Sequence, residues 1–178
     1  MKLEDIIKGT DAKVLYGNPD TPINAISCDS RKVKAGTAFI AVKGRDRDGH
    51  DYIDAARNAG AAAIISAGRK DLALCAANFY DHPSDKLTLV GITGTNGKTT
   101  TVTLLYHLFM GLGYNCGLIS TIANYVGDKC YHTEHTTPDP LELNRLMAEM
   151  VQQGCAYCFM EVSSHAISQD RTADLVFK

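Results

Sequence analysis

An apolar, β-branched run that leads through a glycine turn into a helical pattern organises this sequence. The run covers residues 87–92, and the letters GTNGKTT follow at 94–100. Apolar residues then recur at positions 102, 104, 105, 108, 109 and 112, which predicts a helix. A buried strand, a glycine turn and a helix that opens with a lysine and a hydroxyl are typical of a phosphate-binding loop.

The residues of that loop indicate a nucleoside triphosphate site. Glycines let consecutive backbone N–H groups turn towards an anion, and the helix N-terminus adds its partial positive charge. We expect Lys98 to contact the terminal phosphates and Thr99 to bind the Mg²⁺ that accompanies them. The strict pattern has a glycine five residues before Gly97, where this chain has Ile92, and Gly91 lies one position too early. The alternative is an ordinary strand–helix turn with an incidental lysine.

Composition and charge narrow the class of protein. The 178 residues are 45% hydrophobic and 21% charged, which is typical of a globular chain with one large domain or two small ones. The formal net charge of −2 favours neither a nucleic-acid partner nor a membrane surface. The sequence has no secretory leader pattern and no apolar run of transmembrane length. We therefore expect a cytoplasmic protein.

Two of the six cysteines, Cys155 and Cys158, form a C-x-x-C pattern. Such a pair can be half of a zinc site or a redox pair, but no second C-x-x-C accompanies it. The apolar run 156–162 predicts a strand, in which the two thiols would point to opposite faces. We favour buried, reduced thiols.

A polar, proline-containing segment at 82–86 predicts a linker, and we place a domain boundary after residue 84. Residues 1–84 are predicted to form a small α/β domain with strands at 23–27, 37–42 and 61–66 and a helix at 52–59 capped by Asp51. Residues 85–178 are predicted to form the first part of a mostly parallel α/β domain. Its remaining elements are strands at 116–120 and 156–162, a hairpin around 127–128, and a helix from Pro140 that Asp139 caps.

Ligands of such sheets bind at the carboxyl ends of the strands, where three segments converge by topology. They are the phosphate loop, the polar loop 134–137 and the strand end 161–165. Glu161 lies at the tip of a buried strand, where burial of its carboxylate costs free energy unless it binds a cation. The alternative is a glutamate that solvent reaches. His165 can be catalytic or can be a structural histidine. The sequence contains no G-x-S-x-G motif, so it does not indicate a serine hydrolase.

The motifs GTNGKTT, TTPDPLEL and MEVSSHA, followed by Gln169 and Arg171, resemble the amino-terminal part of the Mur ligases. The stretch CDSRKVKAGTAFIAVKGRDRDGHDYI resembles the nucleotide-sugar domain of the same family. TTPDP and EVSSHA favour the MurE type, which adds a diamino acid to UDP-N-acetylmuramoyl-dipeptide. The resemblance covers essentially the whole chain. It implies a nucleotide-sugar domain at 1–84 and a truncated ATP-binding central domain at 85–178.

The resemblance also implies roles for individual residues. The implied ATP-phosphate site is Gly94, Thr95, Asn96, Gly97, Lys98, Thr99 and Thr100. The implied Mg²⁺ ligands are Thr99 and Glu161, and the implied catalytic residues are Lys98 and Arg171. The implied contacts to the UDP end of the substrate are Ser30, Arg45, Asp46 and Arg47. The implied contacts to its muramoyl-peptide portion are His135, Thr136, Thr137, Ser163, Gln169 and Arg171, and His135 stands where some members of the family have asparagine.

The implied reaction is ATP-dependent amide formation through an acyl phosphate, with the substrate's D-glutamate carboxylate and the amine of a diamino acid as reactants. The resemblance further implies a monomer without a nucleic-acid or membrane partner. Because the family's central domain continues past Lys178, we expect this chain alone to be inactive, with an apolar sheet edge at residues 176–177. The alternatives are a non-catalytic nucleotide or UDP-sugar binding protein, a ligase of the MurF type, and, less favoured, a P-loop GTPase, since no Asn-Lys-x-Asp motif occurs.

Overall fold

The computed structural model describes residues 1–44, 47–133 and 135–178, and it divides the chain into two compact units. The first unit is Met1–Phe79 and the second is Tyr80–Lys178. Residues 80–84, which the sequence analysis assigned to the first domain, therefore group with the second unit. Both units combine a sheet with helices, which confirms the predicted α/β class.

The first unit has a sheet in the order β1-β4-β3-β2. Its elements are α1 (Leu3–Ile6), β1 (Lys13–Tyr16), β2 (Ala25–Ser27), β3 (Thr37–Val42), α2 (Ile53–Asn58), β4 (Ala63–Ala67) and α3 (Arg69–Phe79), with 3₁₀ turns at Ser30–Lys32 and Gly49–Tyr52. Strands β2, β3 and β4 are parallel, and β1 joins β4 in antiparallel fashion. Strand β1 was not predicted from the sequence, because its four residues are all exposed and have no buried face.

In the first unit the predicted bounds of β3 are confirmed, whereas the predicted start of α2 was wrong. Strand β3 has the predicted bounds, and Phe39 and Ile40 on its two faces are fully buried. Helix α2 begins at Ile53 without a side-chain cap, so Asp51 is not its cap. Asp48 instead caps the preceding 3₁₀ turn by accepting a hydrogen bond from the His50 N–H. The 3₁₀ turn inserted between loop and helix moves the capping residue upstream.

The second unit has a sheet in the order β5-β9-β6-β7-β8. Its elements are β5 (Thr88–Ile92), α4 (Lys98–Gly111), β6 (Cys116–Ile119), β7 (Asn124–Val126), β8 (Lys129–Tyr131), α5 (Pro140–Gln152), β9 (Tyr157–Glu161) and α6 (Ser164–Ser168), with a 3₁₀ turn at Pro83–Lys86. Strands β5, β9 and β6 are parallel, whereas the predicted hairpin β7–β8 adds an antiparallel edge. The sheet is therefore mixed, and its parallel part is formed by β5, β9 and β6.

Helix α5 confirms its predicted start and its buried face. Asp139 accepts hydrogen bonds from the N–H groups of the first turn, and Pro140 is the first helical residue. The helix packs closely on β6. A Cβ placed on Gly117 would lie only 2.2 Å from Met150 Sδ. Met150 is itself fully buried. The glycine at 117 is therefore required by the close approach of helix and strand.

The cysteine pair is buried, but not in the predicted geometry. Strand β9 begins at Tyr157, so Cys155 lies before the strand, and both thiols pack in the same core cluster. The expectation of opposite faces was wrong because it assumed a strand through both positions. Burial raises the pKa of the Cys158 thiol and that of the Cys155 thiol above the ordinary value, which keeps both groups protonated.

The described residues contain neither a metal-binding cluster of His, Cys, Asp or Glu side chains nor a helix that could span a membrane. Residues 1–44, 47–133 and 135–178 contain no group of three or more His, Cys, Asp or Glu side chains placed to hold a metal ion. No helix in these ranges combines the length and the apolar character that crossing a membrane requires.

Candidate functional site

The predicted phosphate loop connects β5 to α4. Gly97 precedes the helix with φ of +81°, and Gly94 has φ of +142°, both of which glycine adopts far more readily than other residues. The loop is exposed, and the helix N-terminus opens behind it. Lys98 donates from Nζ to the carbonyl of Gly94 at 2.7 Å, which holds its ammonium over the loop. This geometry presents free backbone N–H groups and one cation to an anion.

Glu161 lies one strand away from that loop. It pairs with Ile92 in the register of β9 and β5, and Val162 N–H donates to the Ile92 carbonyl at 2.9 Å. Glu161 is 1% exposed, which excludes the alternative that solvent surrounds its carboxylate. Its Oε1 accepts hydrogen bonds from Thr121 N–H at 2.8 Å and Thr121 Oγ1 at 3.2 Å. No ion pair to Glu161 occurs within the described ranges.

The loop before α5 is tied to the end of β9 through Thr137. Its hydroxyl donates to the Glu161 carbonyl at 2.8 Å and accepts from Ser163 N–H at 3.1 Å. Its own carbonyl accepts from Arg171 Nη1 at 2.7 Å. Arg171 in turn makes two hydrogen bonds, of 3.0 and 2.8 Å, to Gln169 Oε1. These contacts join four predicted site residues, far apart in sequence, in one network beside Glu161.

The two candidate histidines, His135 and His165, are both exposed. The hydrogen bonds of the His135 backbone are with Thr133. His165 lies in the short helix α6, which Ser163 caps by accepting from Ala166 N–H. Arg45 and Asp46 lie outside the described residues.

Sequence reasoning missed Thr121, although a signal for it existed. The residue follows β6, which pairs with β9 so that Ile119 lies opposite Met160. The end of β6 therefore lies at the same sheet edge as Glu161, where a hydroxyl reaches the carboxylate. The strand itself was predicted from the sequence, but the residues at its end were given no role.

The first unit has a cavity of about 340 Å³ that contains two of the predicted residues. Ser30 and Arg47 line it, together with Asp29, Arg31 and Tyr52 among others. Asp29 forms a two-point ion pair with Arg31, at 2.9 and 2.8 Å, which lowers the pKa of its carboxyl to about 2. The cavity thus contains both hydroxyl and cationic groups, which suit an anionic, polar ligand.

The residues at the loop fit a magnesium ion that arrives with phosphates. Mg²⁺ is usually bound through one or two carboxylates together with phosphate oxygens and water, and not by a dedicated protein cage. Glu161 supplies a buried carboxylate that forms no ion pair with any described residue, and a cation would offset the cost of its burial. Thr99, in the first turn of α4, supplies a hydroxyl.

A glycine loop that opens a helix, next to a parallel strand with a buried carboxylate at its tip, defines an α/β protein of the phosphate-binding-loop class. The comparisons identify the family. The model of the Mur ligase family, catalytic domain, matches residues 22–94, and that of the Mur ligase middle domain matches residues 92–178. The chain belongs to the Mur ligase family.

Relatives with curated names cover almost the whole chain. The chain is 47% identical to a protein from Cytophaga hutchinsonii and 47% identical to one from Parabacteroides distasonis, over 99% of its length in each case. It is 42% identical to one from Clostridium acetobutylicum over 100% of its length. All three are named UDP-N-acetylmuramoyl-L-alanyl-D-glutamate–2,6-diaminopimelate ligase. The chain spans 40% of the length of each of these relatives.

Solved structures show the same relationship. A ligase structure with that name aligns with a TM-score of 0.80 and 26% identity, over 98% of this chain and 38% of its own. The MurF ligase of Thermotoga maritima, in complex with ADP, aligns with a TM-score of 0.50 and 26% identity, over 81% of this chain and 32% of its own.

Proposed function

We propose that this chain is the amino-terminal portion of an ATP-dependent amide ligase of the MurE type. Its reaction adds a diamino acid, meso-diaminopimelate or L-lysine, to UDP-N-acetylmuramoyl-L-Ala-D-Glu during peptidoglycan precursor synthesis. The names of the relatives favour diaminopimelate. The observation that carries the proposal is the register of β5 and β9, which sets the buried Glu161 beside the start of the phosphate loop.

In the proposed division of roles, the second unit binds ATP and the peptide portion of the substrate. Residues 94–100 hold the phosphates, with Lys98 as their cation, and Mg²⁺ supplies charge neutralisation when bound to Thr99 and Glu161. Thr136, Thr137, Ser163, Gln169 and Arg171 hold the muramoyl-peptide portion. Gln169 and the Thr137 carbonyl hold the Arg171 guanidinium by hydrogen bonds. Its proposed role is to offset the negative charge that develops in the transition state.

The first unit is proposed to bind the UDP end through Ser30 and Arg47 in its cavity. Arg45 and Asp46 stay part of this prediction, as does His135 for the peptide portion.

The proposed chemistry proceeds in two displacements. A D-glutamate carboxylate oxygen attacks the γ-phosphorus of ATP, so that an acyl phosphate forms and ADP leaves. The neutral amine of the diamino acid then attacks the acyl carbon, inorganic phosphate leaves with the electron pair of the broken C–O bond, and the nitrogen loses a proton to water or to the departing phosphate as the amide bond forms. Both steps depend on positioning and electrostatic stabilisation more than on acid–base groups of the protein. We further propose a cytoplasmic location, because ATP and UDP-linked substrates are cytoplasmic compounds, and a monomeric state, which the resemblance implies.

The test of the nucleotide site is the Lys98→Ala substitution, followed by calorimetric titration with Mg-ATP. A hydrogen bond to a charged group contributes about 1.5–3 kcal/mol, so we expect the Kd to rise by roughly 10- to 100-fold. Lys129→Ala is the matched control, since Lys129 lies in the hairpin strand β8 and forms an ion pair with Glu149 of α5. An unchanged Kd in the Lys98 variant would show that the loop is not the phosphate site.

A further inference from the structure

Thr121 contacts two parts of the candidate site, although no recognised motif includes it. Its backbone N–H and its hydroxyl both reach Glu161 Oε1, at 2.8 and 3.2 Å. The same hydroxyl oxygen lies 3.1 Å from Thr136 Oγ1. One residue thus connects the carboxylate at the end of β9 with the loop that is proposed to hold the substrate.

The direction of these hydrogen bonds follows from the number of protons available. An ionised carboxylate only accepts, so the single hydroxyl proton of Thr121 goes to Glu161. The Thr121 oxygen can then only accept from Thr136, whose hydroxyl proton is used in that bond. The hydrogen-bond chain therefore runs from Thr136 through Thr121 to Glu161. Among the described residues no other donor bonds Thr136 Oγ1, so its lone pairs are available to a donor on a ligand.

The two bonds from Thr121 also fix which carboxylate oxygen is available. Both end on Oε1, and the described part of the chain makes no hydrogen bond to Oε2. A carboxylate held in this way presents Oε2 in one orientation. Hydrogen bonds of this kind to a metal-binding carboxylate set its orientation and the affinity of the metal.

We propose that Thr121 is a positioning residue that holds Glu161 in the orientation in which it binds Mg²⁺. The inference rests on the proposed function, because it takes Glu161 as a ligand of the Mg²⁺ that accompanies ATP. Thr121 acts through Glu161 and does not itself contact the ion in this account. Removal of the hydroxyl should lower metal affinity by about tenfold, at the low end of the range for such positioning groups, because the N–H bond remains.

The experiment measures ATP affinity by calorimetry with and without Mg²⁺, and the readout is the ratio of the two Kd values. Thr121→Val should reduce the gain from Mg²⁺ by about tenfold and leave the metal-free Kd unchanged, whereas Thr121→Ser should restore the gain. Thr133→Val makes the same chemical change at a hydroxyl that bonds the His135 carbonyl, and it should have no effect. Far-UV circular dichroism verifies folding, and Thr121→Ala replaces the valine variant if that variant misfolds.

A second background separates positioning from direct ligation. Glu161→Gln should itself remove the gain from Mg²⁺, and Thr121→Val should then add no further loss. An additional loss in the Glu161→Gln background would overturn the inference, as would an undiminished gain from Mg²⁺ in both hydroxyl-free variants. If the unsubstituted chain shows no gain from Mg²⁺ at all, the proposed nucleotide site fails, and the inference fails with it.

Discussion

The Thr137 hydroxyl should account for a measurable part of the stability of the second unit. Thr137 is 1% exposed, and its hydroxyl both donates to the Glu161 carbonyl and accepts from Ser163 N–H. Thr137→Val has nearly the same shape but leaves these two backbone groups without that partner. An unpaired buried group costs about 1–3 kcal/mol, so we expect a loss of roughly 2–3 kcal/mol.

Thr137→Ser is the matched control, since it keeps the hydroxyl and removes one buried methyl group, at a cost of about 1 kcal/mol. Urea denaturation followed by circular dichroism gives the free energy of unfolding. At a slope of about 2 kcal/mol per M, the valine variant should lose roughly 1 M in midpoint and the serine variant about half of that.

Amide hydrogen exchange locates the effect of the same substitution. The Ser163 amide should lose protection in the valine variant and keep it in the serine variant, because the hydroxyl is its acceptor among the described residues. A valine variant as stable as the unsubstituted chain, with Ser163 still protected, would refute the assignment of this hydroxyl as the connection between β9 and the loop before α5.

Three further perturbations have definite expectations. Gly117→Ala should cost about 1–3 kcal/mol through overpacking, yet it should stabilise a Met150→Ala variant, and additive effects in urea denaturation would contradict this. Asp139→Ala should cost about 1 kcal/mol and Asp139→Asn much less, so equal losses would argue against the cap. The pKa of Asp29, about 2, lies below its ordinary value of 3.8, so its stabilisation is complete above pH 3.8 and disappears as pH falls through about 2. Because Arg31 is 88% exposed, that contribution is about 1 kcal/mol or less, and Arg31→Met should raise the pKa of Asp29 in a carbon-13 titration.

Local patterns in the sequence predicted most of the secondary structure, including the turn into α4. The glycines at 94 and 97 predicted the turn into α4, and Asp139 with Pro140 predicted the start of α5, because caps and turns depend on residues within a few positions of each other. Strand β3 followed from a continuous apolar run, which a parallel strand buried on both faces requires.

Periodicity did not determine which face of a helix is buried. Leu104, Leu108 and Leu112 recur at helical spacing, as the sequence indicated, but all three are more than half exposed, whereas Val102 and Tyr106 are buried. Helical spacing specifies which residues share a face, but only the packing of neighbouring elements specifies what covers that face.

The assembly of the site was decided by the tertiary structure alone. Thr121 and Glu161 are 40 positions apart, and Thr137 and Arg171 are 34 positions apart, yet each pair is in hydrogen-bond contact. The order β5-β9-β6 produces the first of these contacts, because it puts the end of β9, where Glu161 lies, beside the end of β6, which Thr121 follows. Sequence motifs predicted a set of site residues, but strand order determined which of them are neighbours, since it depends on the packing of the whole sheet.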